Sequence, residues 1–198
     1  QLLEEGSFNN VDLMIGNNKN EDYMYVDESV TENDINRLIE SYYPEHQDKL
    51  LSLLDLEDPR LAMDHLTTNQ VTLCPSVFIA RSLAKNGNNV YQYHFTRMRE
   101  GSEKILSYHG AEIPYVFNTH DEWLPTNEVD QQLTEAMMEY WVEFATKGTP
   151  NSINNPTWKE FGMEENYLIL DAELENSSKL ENDFCEIMID ELIKRSSS

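Results

Sequence analysis

Apolar residues recur along this chain at two spacings, and the change from one to the other marks out the elements. Residues 11–15 (Val, Asp, Leu, Met, Ile) form a short β-prone run closed by Gly16-Asn17-Asn18, which reads as a buried strand followed by a polar loop. Thr31 then opens a helix, with Glu32 and Asp34 in the first turn, where the helix dipole favours acids. Ile35, Leu38, Ile39 and Tyr42 give it an apolar stripe, and Pro44 stops it. A second helical piece carries Leu50, Leu51, Leu53 and Leu54, and a third begins near Pro59. Pro75 suits a first helical position, followed by Val77, Phe78, Ala80, Leu83 and Ala84, with Gly87 as C-cap. Residues 90–95 are an aromatic-rich strand.

The clearest helix spans residues 128–147, where Val129, Leu133, Ala136, Met137, Tyr140, Trp141, Phe144 and Ala145 share a face until Gly148 and Pro150 end it. Residues 167–170 read as the last strand. A final helix near residues 179–195 turns Leu180, Phe184, Ile187, Met188 and Leu192 inward. Helices alternating with short apolar strands predict an α/β fold with helices flanking a mostly parallel sheet. Neither a repeat nor a linker divides residues 1–198, so they are expected to form part of one domain.

Charge narrows the partners. Fourteen Lys and Arg against 37 Asp and Glu leave a net charge of −23, which repels nucleic acid and anionic membrane surfaces. No apolar run reaches membrane-spanning length, so no span is expected. The opening Gln1-Leu2-Leu3-Glu4-Glu5-Gly6 reads as the middle of something longer, so the lack of an export signal there carries no weight.

Candidate chemistry centres on two loops. His109-Gly110 lets an imidazole project from a turn, which suits general-base work near neutral pH; the same histidine would equally serve to hydrogen-bond a helix end. Glu21 lies just beyond the first strand, where working residues of open α/β sheets gather, though an ordinary polar loop fits it as well. A carboxylate followed by a histidine, each beyond a strand, matches the order of the last two members of a hydrolase triad. Glu112 is read as a structural partner, not as a metal ligand with His109, and His46, His65, His94 and His120 as surface or hydrogen-bonded core residues. Tyr23, Tyr25, Tyr115, Phe117 and Trp123 line a substrate pocket or pack the core. Cys74 and Cys185 are either two buried thiols or one bridge.

His109-Gly110, Glu112 and the following Ile113-Pro114-Tyr115-Val116-Phe117 resemble the histidine block of the type-B carboxylesterases, which include cholinesterases and related lipases. Residues 16–25 resemble the acid block of that family, G-x-N-x-D-E-G, and Leu73-Cys74-Pro75 a third landmark. Tyr140-Trp141, Phe144-Ala145, Gly148, Pro150-Asn151, Pro156 and Trp158 continue the likeness in the family's order. The resemblance implies an α/β-hydrolase fold, hydrolysis of a small-molecule carboxylic ester without a cofactor, Glu21 as triad acid and His109 as triad base. It also implies a Cys74–Cys185 disulfide, which would favour a secreted or periplasmic location.

This chain departs from the family pattern at Asn20, where Asp is usual, at Asp22, where Gly is usual, and at Asn69, where many relatives have Asp. It contains no G-x-S-x-G, so no serine sits in a nucleophile elbow, and with seven glycines it has no Gly-Gly run for an oxyanion hole. Family members are more than twice as long. The expectation is therefore the C-terminal portion of such an esterase, inactive alone, with an N-terminal portion supplying the serine and oxyanion hole. The alternative is a non-catalytic, cholinesterase-like module for adhesion or protein interaction.

Overall fold

Three parallel strands and one antiparallel strand form the centre of the computed structural model, which describes residues 2, 3 and 5–196. β1 (Leu13–Asn18), β2 (Val90–Phe95), β3 (Asn166–Leu170) and β4 (Glu175–Ser178) lie side by side in chain order, β4 running against β3. α1 (Glu32–Tyr42), α2 (Gln47–Ser52), α3 (Pro59–Thr68) and α4 (Cys74–Lys85) connect β1 to β2. α5 (Ile113–Phe117) and α6 (Glu128–Lys147) connect β2 to β3, and α7 (Asn182–Ser196) closes the chain.

Alternation along the strands divides the core between the two sheet faces. Tyr167 and Ile169 of β3 face the layer built by α1–α4 and α7, against Ile35, Ile39, Leu66 and Phe184. Leu168 and Leu170 face the opposite layer, where Leu133, Met137 and Tyr140 of α6 pack around a fully buried Trp158. The Trp158 indole N–H is satisfied by the Gln92 carbonyl at 3.0 Å, so its polar edge costs nothing inside the core. Cys74 and Cys185 are bonded, tying the start of α4 to α7 across 111 residues of chain.

Two helices start where their caps dictate. Thr31 and Asp34 form a capping box at α1, and Asn127 and Asp130 form another at α6. α6 has its expected limits, ending at Gly148 in the left-handed conformation. Ala145 is nevertheless exposed, and Trp141 and Phe144 are only half-buried although their rings meet Tyr93 and Tyr91 of β2.

Four expectations need correction. β1 does not end before Gly16; it runs through Gly16, Asn17 and Asn18, which pair with Tyr93, His94 and Phe95. Polar residues read as a loop are held here by ladder bonds to β2. The chain does not break before Pro75 either. α3 continues through a π-helical turn, Asn69–Leu73, into α4, with the Cys74 N–H bonded to the Asn69 carbonyl. A wider turn relieves the clash and missing N–H that proline imposes on a regular helix. β3 is not the last strand: β4, with only four residues (Glu, Asn, Ser, Ser), carries no apolar signal. Finally, α7 begins at Asn182 and turns Cys185 and Ile189 inward beside Phe184 and Met188, leaving Leu192 exposed.

Candidate functional site

The carboxyl ends of β1 and β2 hold the candidate site. Glycine at position 16 gives the ring of Tyr93 on the neighbouring strand its room, since a Cβ would fall 2.4 Å from that ring and something would have to shift. The next two side chains, Asn17 and Asn18, are buried. Beyond Asn18 the backbone turns back so that the Asn18 N–H donates to Glu21 Oε1 at 2.7 Å. Glu21 is 7% exposed.

The histidine loop is stitched to the same turn. Asn20 and Ser107 exchange two bonds: the Asn20 N–H donates to the Ser107 carbonyl at 3.1 Å, and the Ser107 N–H to Asn20 Oδ1 at 3.4 Å. The Asn18 side-chain amide donates to the Tyr108 carbonyl at 2.7 Å and to Glu112 Oε2 at 2.5 Å. Gly110, at φ 86°, then reverses the chain and frees the preceding side chain to point back. His109 Nδ1 meets Glu21 Oε2 at 2.7 Å, while its own side chain is 63% exposed. One residue, Asn18, thus touches the carboxylate through its backbone and the histidine loop through its side chain.

The electrostatics follow from this geometry. Burial pushes the Glu21 carboxyl up, and the Asn18 N–H and His109 pull it back only in part. The bond to Glu21 raises the His109 imidazole above its ordinary 6.5, with Glu112 and Asp22 adding in the same direction. In its neutral form the imidazole can keep its Nδ1–H on the Glu21 carboxylate, which leaves Nε2 as the ring's free acceptor. Such a group accepts a proton at Nε2 while the carboxylate offsets the charge that develops.

The other sequence candidates fall elsewhere. Glu112 is taken up by Asn18. His94 sits beside Asn17, 3.3 Å from its amide, and burial holds it neutral, down to about 4. His65 pairs with Glu181 at 3.2 Å, and His120 bonds Thr134 at 2.7 Å. Among the described residues, the three metal-type donors that converge are Glu45, His46 and Glu191, which include neither His109 nor Glu112. Tyr115 is core, its hydroxyl donating to Asp130 at 2.8 Å. Tyr25, Phe117 and Trp123 are exposed, and Trp123 sets its ring edge-on to Tyr108, beside His109. Tyr25 and Asp22 border an open cleft of about 500 Å³ against α3.

Sequence reasoning missed Asn18 and Asp64. Asp64 is fully buried on α3 and accepts bonds from the Asn20 side chain and the Asp22 backbone, the two neighbours of Glu21. An acid inside a helix ordinarily marks a solvated face, and nothing in the local pattern separates Asp64 from one.

The family model described as "Carboxylesterase family" matches residues 1–188. Carboxylesterase 1D of Mus musculus is 25% identical over 209 aligned residues, covering 92% of this chain and 37% of that protein. Carboxylesterase 1E of Rattus norvegicus is 32% identical over 111 residues, 54% of this chain and 20% of that protein. Among solved structures, a PNB esterase superposes with a TM-score of 0.76 at 20% identity, covering 94% of this chain and 40% of its own. The chain thus has the α/β-hydrolase fold and spans well under half the length of the relatives it matches. From motif order, sheet topology and these likenesses together, it belongs to the type-B carboxylesterase family.

Proposed function

We propose that residues 1–198 are the C-terminal portion of a single α/β-hydrolase domain and bring to it the acid and base of a Ser-His-Glu esterase. The observation that carries this reading is the 2.7 Å contact between Glu21 Oε2 and His109 Nδ1, with the far side of the imidazole open. In this scheme a serine from an N-terminal portion attacks the carbonyl of a small-molecule carboxylic ester. His109 Nε2 takes the serine proton and returns it to the departing alkoxide. Glu21 fixes the tautomer and offsets the imidazolium charge. The scheme calls on no metal or organic cofactor.

Two observations support a contribution from outside these residues. The sequence holds no G-x-S-x-G. β1 also stands at the sheet edge, its outer backbone groups unmatched by any neighbouring strand among the described residues, which suits the addition of another strand. The Cys74–Cys185 bond fits an oxidising compartment. No helix among the described residues is long and apolar enough to cross a membrane.

The test is hydrolysis of a p-nitrophenyl ester by this chain alone and by the chain joined to its N-terminal portion. The reading expects turnover only in the joined form, abolished by His109→Ala. Equal turnover by the isolated chain, or a joined form indifferent to His109→Ala, refutes it.

A further inference from the structure

We propose that Asp64 is a positioning residue for the Glu21–His109 pair, gripping the acid loop on both sides of Glu21 through an amide–carboxylate pair with Asn20 whose polarity can be exchanged. The proposal rests on Glu21 and His109 being the acid and base.

Asp64 is wholly buried, yet its three hydrogen-bond partners are all neutral. Burying a carboxylate without a cation is costly, and burial accordingly pushes its carboxyl up against the pull of its hydrogen bonds. Thr68, one turn along its own helix, donates to Oδ1 at 3.1 Å. The other two bonds leave the helix. Asn20 Nδ2 donates to Oδ2 at 2.8 Å, and the Asp22 N–H donates to Oδ1 at 3.0 Å. Residues 20 and 22 flank Glu21, so its backbone cannot move toward or away from His109 without breaking one of them.

The grip extends to the other loop. The opposite end of the Asn20 amide, Oδ1, accepts the Ser107 N–H, two residues before His109. Asp64, Asn20 and Ser107 therefore form a buried, hydrogen-bonded line from α3 to the histidine loop. Asp64 touches neither His109 nor the exposed side of the imidazole. Its effect is exerted through placement, and misplacing a reacting group by about 1 Å costs on the order of 100-fold in rate.

The pairing has a testable asymmetry. Asn20 presents its amide hydrogens to Asp64 and its oxygen to Ser107. Asp64→Asn sets donor against donor in either orientation, its NH2 facing the Asn20 NH2 or, turned over, the Asp22 N–H, and turning the Asn20 amide over instead would abandon the Ser107 N–H. Asn20→Asp sets two carboxylates against each other at hydrogen-bond distance. The double exchange restores one donor and one acceptor, and the new carboxylate at position 20 still accepts from Ser107.

The experiment is proton NMR of the ¹⁵N-labelled chain near pH 8, following the downfield His109 Nδ1–H resonance, which exists only while the imidazole is held on Glu21. Glu21→Gln defines what loss of that contact looks like. Each single exchange is expected to broaden the resonance away and the double exchange to restore it; rescue of this kind would not follow if Asp64 served stability alone. If a single exchange unfolds the chain, the folded double exchange still has to show the resonance. Persistence of the resonance in Asp64→Asn, or its absence from a folded double exchange, overturns the proposal while leaving the acid–base reading intact. A resonance indifferent to Glu21→Gln overturns both.

Discussion

Gly16 lies directly under the ring of Tyr93, close enough that a single added carbon would stand 2.4 Å from the ring. The contact crosses from β1 to β2 just before the two asparagines that begin the acid turn, so the sheet and the site meet at this glycine.

Gly16→Ala is therefore expected to force the two strands apart or the Tyr93 ring off its packing against Trp141 and Trp158. Overpacking of this kind costs about 1–3 kcal/mol. Urea unfolding followed by tryptophan fluorescence measures it. An unchanged midpoint would mean that Tyr93 has room to turn aside.

Reduction of the Cys74–Cys185 bond should release a loop of 111 residues in the unfolded chain. The chain-entropy model puts the loss at about 4–5 kcal/mol. Thermal unfolding with and without dithiothreitol checks it, and Cys74→Ser should reproduce the reduced value. The same bond clamps the layer that carries Asp64, so reduction should also raise hydrogen exchange along α3 and α4.

The histidine should leave its mark on stability as pH changes. Its folded pKa is raised above the ordinary 6.5, chiefly by the bond to Glu21. A group raised on folding adds stability that is fully present below 6.5 and disappears as pH climbs through the folded value. The chain should thus lose stability on the alkaline side of 6.5, and His109→Gln should flatten that slope. Because the imidazole is largely exposed, the slope will be shallow. Asp130 acts in the opposite sense: Arg97, Asn127 and Tyr115 together outweigh burial and hold it below 3.8, so its contribution disappears on acidification through that lowered value. Denaturant midpoints between pH 3 and pH 9 follow both.

How legible this was from the sequence depended on whether the deciding force was local. Thr31, Pro59, Asn127 and Gly148 act through their own backbone or one turn of helix, and the helices they bound lie where the pattern put them. That Glu21 and His109 would be brought together was legible because strand ends and a His-Gly turn mark them, and because their blocks resemble a family. What stayed hidden depended on distant partners. The continuation of β1 through Gly16–Asn18 is decided by β2, more than seventy residues away. β4 exists only because β3 offers an edge to four polar residues. Asp64 and Asn18 look like ordinary polar positions until the fold brings residues 20, 22, 108 and 112 against them.

The most direct measurement is kcat/KM for p-nitrophenyl butyrate, taken on the chain joined to its N-terminal portion, for wild type, His109→Ala and Glu21→Gln. Loss of a triad base lowers kcat by about 10⁶-fold, and loss of the orienting acid's charge by about 10⁴-fold. The account predicts losses of that order, with each variant still folded by circular dichroism. Wild-type rates in folded His109→Ala would contradict it.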